Sequence, residues 1–410
     1  MRRSPAAVVA VSAVTTAFGS YPGFLFGFLG PALQADLGLT RFEVGLLVGV
    51  CFGATGLGST VGGHLAERLG ARWAVTLDQL VVAVALLVAA LVPDYRVLLA
   101  AAAVSGFGYA LTNAGTNMAV AAALPPHRHG VALAVKTAGV PLLVAVSAVV
   151  AVGLAERFGW QLVLAGSVPL LLVVGGLAAA VLPAARSTDR SGSLPGPRGA
   201  EGRSVLPRGF LLFPVAAFGL VAGTQPLFSW MVPFLHEAGG VSLSTAGALT
   251  SAGSLLAVVG MVVTARASDR AAAANRLPTI AVLCVLIAAG LGLLVAGITG
   301  GIGLLLPGLL IATVCQLSAI SLLHAAVIAA APAAVGRATG VTMSGYYLGA
   351  LAGAPLFGLL VDASGSYGTA WGCCVALVLI GAACFLRCRR VGAAPAGSPV
   401  DRQPVSCPGH

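Results

Sequence analysis

Twelve apolar runs of about 20 residues, divided by short polar turns, constrain this chain more than any other feature of its sequence. They fall at 6–30, 44–63, 73–92, 97–123, 131–154 and 160–182, then at 210–235, 245–265, 279–298, 302–331, 339–361 and 370–386. A run of that length spans the hydrocarbon core of a bilayer as a helix, and a helix satisfies its own backbone where no water is available. No soluble fold hides so much apolar surface, since only 8% of the residues are charged, against roughly 25% in soluble domains. The expected fold class is all-α integral membrane, with twelve transmembrane helices. The division least well marked lies between 279–298 and 302–331, where the turn carries no charge. Met1-Arg2-Arg3 followed by apolar residues opens like a secretory signal. No cleavage site follows, so the first run reads as an uncleaved helix.

The net charge of +10 would suggest nucleic acid in a soluble protein; here it reads as a topology signal. Of the 21 Arg, only Arg41, Arg96 and Arg157 fall on one side of the alternating spans, and the other eighteen fall on the opposite side. This positive-inside bias places both termini in the cytoplasm and the chain in the inner membrane. The one long polar stretch, 184–209, is rich in Ser, Gly, Pro and Arg and reads as a flexible cytoplasmic linker. It separates a six-helix bundle over 1–183 from a second over 210–390, and 391–410 reads as a disordered tail. The eight Cys show neither metal-ligand spacing nor a disulfide framework. The partners expected are the lipid bilayer and a small-molecule solute, with no nucleic acid and no cofactor, and the chain reads as a monomer.

The halves echo one another. Gly63-His64-Leu65-Ala66-Glu67-Arg68 follows the second span, and Ser268-Asp269-Arg270 follows the eighth. Phe158-Gly159-Trp160 precedes the sixth span and Tyr367-Gly368-Thr369-Ala370-Trp371 the twelfth. Repeated six-helix units are an architecture of secondary transporters, with the solute bound between the repeats near the midplane.

The loop after the second span resembles the motif GxLADRxGRR of the major facilitator superfamily. Gly63, Leu65, Ala66, Arg68, Gly70 and Arg72 match, Glu67 replaces the usual Asp, and Ala71 replaces a basic residue. The resemblance extends from Ala6 to Leu386 and implies two pseudo-symmetric bundles that alternate access to a central site. It implies a gating role, stabilising the outward-facing state, for Gly63, Glu67, Arg68 and Arg72 and for Asp269 and Arg270 in the weaker copy. Two departures count against proton-driven drug export. Ala102 stands where family members carry an Arg in the fourth span, and the fifth span has Gly139-Val140-Pro141 in place of GPxxGG.

A charge at the centre of a transmembrane helix costs about 2.5–3.5 kcal/mol on insertion scales, so each one needs a reason. Lys136, the only Lys, lies in the fifth span. It reads either as a binder of an anionic solute or a carboxylate, or as a side chain snorkelling to the headgroups. Asp78 in the third span reads as the partner of a loop Arg or of Lys136, or as a protonation site for a coupling proton. In the fourth span Tyr109, Thr112, Asn113, Thr116 and Asn117 share one helical face, as a cavity lining would. The resemblance places the fourth span on the cavity and the fifth between the bundles. Tyr21, Gln225, Trp230, Gln316, His324, Tyr346 and Tyr347 complete the candidate solute ring. Glycines at intervals of four, at 19, 23 and 27, at 45, 49 and 53 and at 345, 349 and 353, let helices approach closely. The resemblance implies that the last two sets face each other across the bundles.

The function expected is secondary active transport of a small organic solute, with an organic anion favoured by Lys136. A proton-coupled exporter of drugs or metabolites, and a sensor or scaffold that kept the fold without transport, stay open beside it. An enzyme is not expected, because the spans hold no metal cluster and no nucleophile–base pair. ATP hydrolysis is not expected either, since Val135 stands where a P-loop ending at the only Lys needs glycine.

Overall fold

The structure, a computed structural model, describes residues 4–125, 128–184, 209–270, 276–331 and 335–388. Among them twelve helical spans are long and apolar enough to cross a membrane. The first group comprises α1 (Pro5–Phe28), the short α2 (Gly30–Leu37), α3 (Arg41–Leu69), α4 (Ala71–Leu91), α5 (Tyr95–Ala123), α6 (His129–Phe158) and α7 (Trp160–Val181). The second comprises α8 (Leu212–Thr224), α9 (Pro226–Ser229), α10 (Met231–Glu237), α11 (Leu243–Arg270), α12 (Arg276–Gly300), α13 (Ile302–Ala330), α14 (Val335–Ser364) and α15 (Tyr367–Cys388). Helices of each group pack mainly on one another, and the groups meet along α3 against α14, α6 against α11 and α1 against α9. The stretch 185–208, which covers nearly all of the expected linker, and the expected tail lie outside the described residues.

Local chemistry explains the breaks. Gly301 takes φ 75° and alone separates α12 from α13, so the turn that sequence marks least is made by a residue free to enter the left-handed region. The seventh run, expected as one helix over 210–235, is instead three pieces: α8, α9 and α10. Pro226 and Pro233 lack the amide hydrogen that would continue the ladder, and each ring crowds the carbonyl four residues back, at Ala222 and Ser229. At the head of α3, Thr40 and Glu43 form a reciprocal capping box, with Glu43 N–H donating to Thr40 Oγ1 at 3.2 Å and Thr40 N–H to Glu43 Oε2 at 2.9 Å. That box fixes the first turn and so the position of Arg41.

The glycine seams divide differently from the expectation. A Cβ at Gly45 would lie 2.7 Å from the Ala354 carbonyl carbon and from Pro355 Cα, so α3 does back directly onto α14. The α14 glycines, however, face their own group: Gly345 meets Pro214, and Gly349 and Gly353 meet Ala222 of α8. Of the α1 set, Gly27 touches Ser229 Cα across the groups, while Gly19 and Gly23 pack inside the first group. Gly45→Val is expected to force α3 off α14 at a cost of about 1–3 kcal/mol, the range for overpacking. It should lower the thermal unfolding midpoint in detergent and expose that end to labelling; an unchanged midpoint and labelling pattern would show that the contact carries no energy.

Candidate functional site

The site begins with Lys136, about 10 Å along α6 from His129 at 1.5 Å per residue. Its side chain is 3% exposed, so it does not reach the headgroups. Nζ donates to Asn113 Oδ1 at 2.7 Å and to Asn117 Oδ1 at 2.6 Å, both on α5. These acceptors are neutral, and among the described residues no carboxylate pairs with the ammonium. A positive charge is thus held between two helices by amide oxygens, with one of its three donors left over.

The polar stripe of α5 straddles two environments. Asn113 and Asn117 hold Lys136, whereas Thr112 and Thr116, fully buried, turn into the first group. Thr116 Oγ1 pairs with Thr16 Oγ1 of α1 at 3.3 Å and donates to the Thr112 carbonyl at 2.8 Å. Thr112 donates to Asp78 Oδ2, which Gln79 Nε2 also donates to at 3.0 Å. The expected pairing of Asp78 with Lys136 or a loop Arg is therefore absent from this conformation. Lys136 is occupied by the asparagines, and Arg72 Nε is turned to the Leu182 carbonyl at 3.1 Å.

The rest of the expected ring separates into contacts of different kinds. Tyr346 and Tyr347 of α14 meet edge to face at 5.3 Å, with Tyr109 of α5 within electrostatic reach of both. Gln316 Nε2 donates to the Thr224 carbonyl at 3.4 Å, while Gln225 Nε2 and Gln316 Oε1 are buried without a bonded partner. Tyr21 is spent inside the first group, its hydroxyl on Ser167 Oγ at 3.2 Å. Trp230 is fully buried, donates to the Ala354 carbonyl at 2.9 Å and stacks on Phe357, so it packs the second group. His324 is exposed, and its Nδ1 lies 2.9 Å from the Ile320 carbonyl of its own helix.

Sequence reasoning missed the densest ionic cluster. Arg41 at the head of α3 pairs with Glu237 at the end of α10, and with Asp362 near the end of α14 at 3.2 Å. Its guanidinium carbon lies 5.8 Å from the centre of the Tyr367 ring on α15, and the Tyr367 hydroxyl donates to Glu237 Oε2 at 3.1 Å. The Phe42 amide adds a bond to Asp362 Oδ2 at 3.1 Å. One residue of the first group thereby grips three helices of the second. At the opposite end of α3, Glu67 and Arg68 are exposed and have no bonded partner among the described residues, and a Cβ at Gly63 would meet nothing within 4 Å. The side chains of Asp269 and Arg270 lie outside the described residues.

The sequence profile of the Major Facilitator Superfamily matches residues 9–341. The chain belongs to this superfamily. Its fold class is the twelve-helix transporter fold in two bundles, and it is a transporter-family protein rather than an enzyme. A gentisate transporter of Corynebacterium glutamicum is 26% identical over 268 residues, 62% of this chain and 59% of that transporter. The chain thus matches less than two thirds of that relative's length. An uncharacterized MFS-type transporter of Mycobacterium tuberculosis is 27% identical over 359 residues, 86% of this chain and 79% of that one. Among solved structures, a bacterial homolog of the human lysosomal transporter Spinster, inward-facing and unoccupied, superposes with a TM-score of 0.75 at 15% identity, over 97% of this chain and 99% of that one. A D-xylose–proton symporter does so at 0.73 and 16%, over 92% and 96%. At such identity the likeness establishes the fold.

Proposed function

We propose that this superfamily member moves a small organic anion, with an aromatic carboxylate as the leading class, across the inner membrane by alternating access. The observation that carries the reading is Lys136, a buried ammonium between α5 and α6 of the first group whose only bonded neighbours are neutral amide oxygens. An unpaired charge in the membrane is retained where it serves a ligand. A carboxylate supplies the opposite charge and can accept the remaining N–H. The tyrosine group on α5 and α14 offers aromatic surface from both bundles. The gentisate transporter similarity points the same way, since gentisate is an aromatic acid.

The two ends of α3 supply the access argument. With both termini cytoplasmic, the orientation that the Arg distribution supports, the Arg41 cluster lies on the outer side. This conformation is then closed outside, and its motif loop is released inside, an inward-facing arrangement. Uptake by the purified protein in liposomes across gentisate, benzoate, xylose and a quaternary amine tests the reading. Saturable uptake confined to the acids is expected; transport of xylose or the amine with none of the acids would overturn it.

A further inference from the structure

We infer that a groove on the lipid-facing flank of the first group binds a single-chain primary amine from the bilayer, with Asp78 as the partner of its nitrogen. The groove has a volume of about 440 Å³, within the range of ligand pockets. It lies where α4 and α5 run side by side, with Leu65 of α3 at one end. Leu77, Val81, Val104 and Phe107 form its rim, and each is between 37% and 42% exposed. Apolar side chains so exposed on membrane-spanning helices face lipid tails. The groove is separate from the Lys136 site: Lys136, Asn113 and Asn117 meet between α5 and α6, and none of them lines it.

The floor of the groove is polar at one point. Asp78 and Gly108 both line it, and Asp78 Oδ1 lies directly against Gly108. A Cβ there would collide with Oδ1, so glycine is what leaves the carboxyl at this wall. Asp78 is 1% exposed. Its Oδ2 accepts from Thr112 and Gln79, while Oδ1 has no bonded partner. Among the described residues no Arg, Lys or His lies within ion-pair distance of it. A carboxyl with one open oxygen in apolar surroundings is costly until something pairs with it. Water does not serve, because the other walls give it no second partner.

Charge and size choose the occupant. A primary amine suits the carboxyl in either state: as the neutral amine it takes the acid's proton, and as the ammonium it meets the carboxylate. Both routes end in the same ion pair, held by N–H donation to oxygen and summing to zero charge. Phe107 stands beside Gly108 at the rim, and an aromatic face is the apolar surface that best tolerates a cation. A fatty acid would set carboxyl against carboxyl. Asp78 lies about 10 Å into α4 from Ala71 at 1.5 Å per residue, below the headgroups. A phosphatidylethanolamine would therefore drag its phosphate between apolar walls. A single chain leaves its head at Asp78 and lays its tail along Val81 and Val104, toward the bilayer centre.

The test places the full chain in nanodiscs of phosphatidylcholine and phosphatidylglycerol, which contain no primary amine. A diazirine-tagged dodecylamine is photolysed there and its adducts are mapped by mass spectrometry. Saturable labelling of α4 and α5 around the groove is expected. Unlabelled dodecylamine should displace it about tenfold better than dodecanol, dodecanoate or added phosphatidylethanolamine. Asp78→Asn still accepts from Thr112 but cannot form the ion pair, and should lose about tenfold of the labelling. Val104→Trp fills the groove from its lipid-exposed rim without touching the carboxyl; it should lose the labelling and keep the thermal unfolding midpoint. Labelling of either variant equal to the parent overturns the proposal, and the rim variant decides if Asp78→Asn does not fold. Displacement by dodecanol as good as by the amine overturns the ion pair, and displacement by phosphatidylethanolamine as good overturns the single-chain occupant. Unsaturable labelling spread over all lipid-facing helices overturns the site itself.

Discussion

Lys136→Gln is expected to abolish gentisate uptake while leaving the protein folded. Nζ is buried and holds two asparagine oxygens at 2.7 and 2.6 Å, and no carboxylate among the described residues neutralises it. Losing one partner of a buried charge pair costs a ligand about 2–5 kcal/mol, which at 1.4 kcal/mol per decade is roughly 30- to 4,000-fold. A Gln amide can still donate to the asparagines, so the helix contact survives without the charge. Removing an uncompensated charge from the membrane should leave thermal stability the same or higher. A structural ion-pair residue would lose stability on the same substitution, so the pair of readouts separates the two roles. Lys136→Arg keeps the charge and should keep part of the uptake. Uptake by Lys136→Gln within twofold of the parent, normalised to monodisperse protein, would remove Lys136 from the solute site.

Fold and site differed in how far the sequence exposed them. Twelve spans and their alternation were readable because each run is local and because lipid admits few ways to satisfy a backbone. Even the unmarked turn at Gly301 lay where the lengths required it. The break in the seventh run went unread although Pro226 and Pro233 stood in plain sight, since high hydropathy masked the missing amides. Within the site, Lys136 was visible as the only Lys, but its asparagine partners lie 23 and 19 residues away on another helix. The α5 stripe was read as one face. In the structure Asn113 and Asn117 divide from Thr112 and Thr116, because neighbouring rows i, i+4 on a helix can serve two different partners. The Arg41 cluster had no local signature, as its acids lie 196 and 321 residues along the chain. The signal available was coarser: Arg41, Glu237 and Asp362 all sit just outside apolar runs on the side poorest in Arg.

Arg41→Gln is expected to unlatch the end of the molecule that this conformation holds shut. Arg41 reaches Glu237 and Asp362 at once and covers the Tyr367 ring, tying α3 to α10, α14 and α15. Its side chain is 29% exposed and each acid 27%, so water and salt screen the pairs in part. A network of two such pairs plus a cation–π contact is worth about 1–3 kcal/mol, which shifts a two-state equilibrium roughly 5- to 150-fold. Gln also leaves Glu237 and Asp362 facing each other without the cation between them, which adds repulsion in the same direction. Spin labels at the exposed Ala35 and Ala363 should report longer distances at this end in Arg41→Gln, and labels at His64 and Arg266 shorter ones at the other. Rising salt should move the parent the same way but less, because partly buried pairs are screened less than exposed ones. The direction at the far end carries the most weight: mere loosening would widen both distances, whereas alternating access requires the inner end to close as the outer one opens. Unchanged distances at both ends would leave the Arg41 cluster a surface ornament with no part in gating.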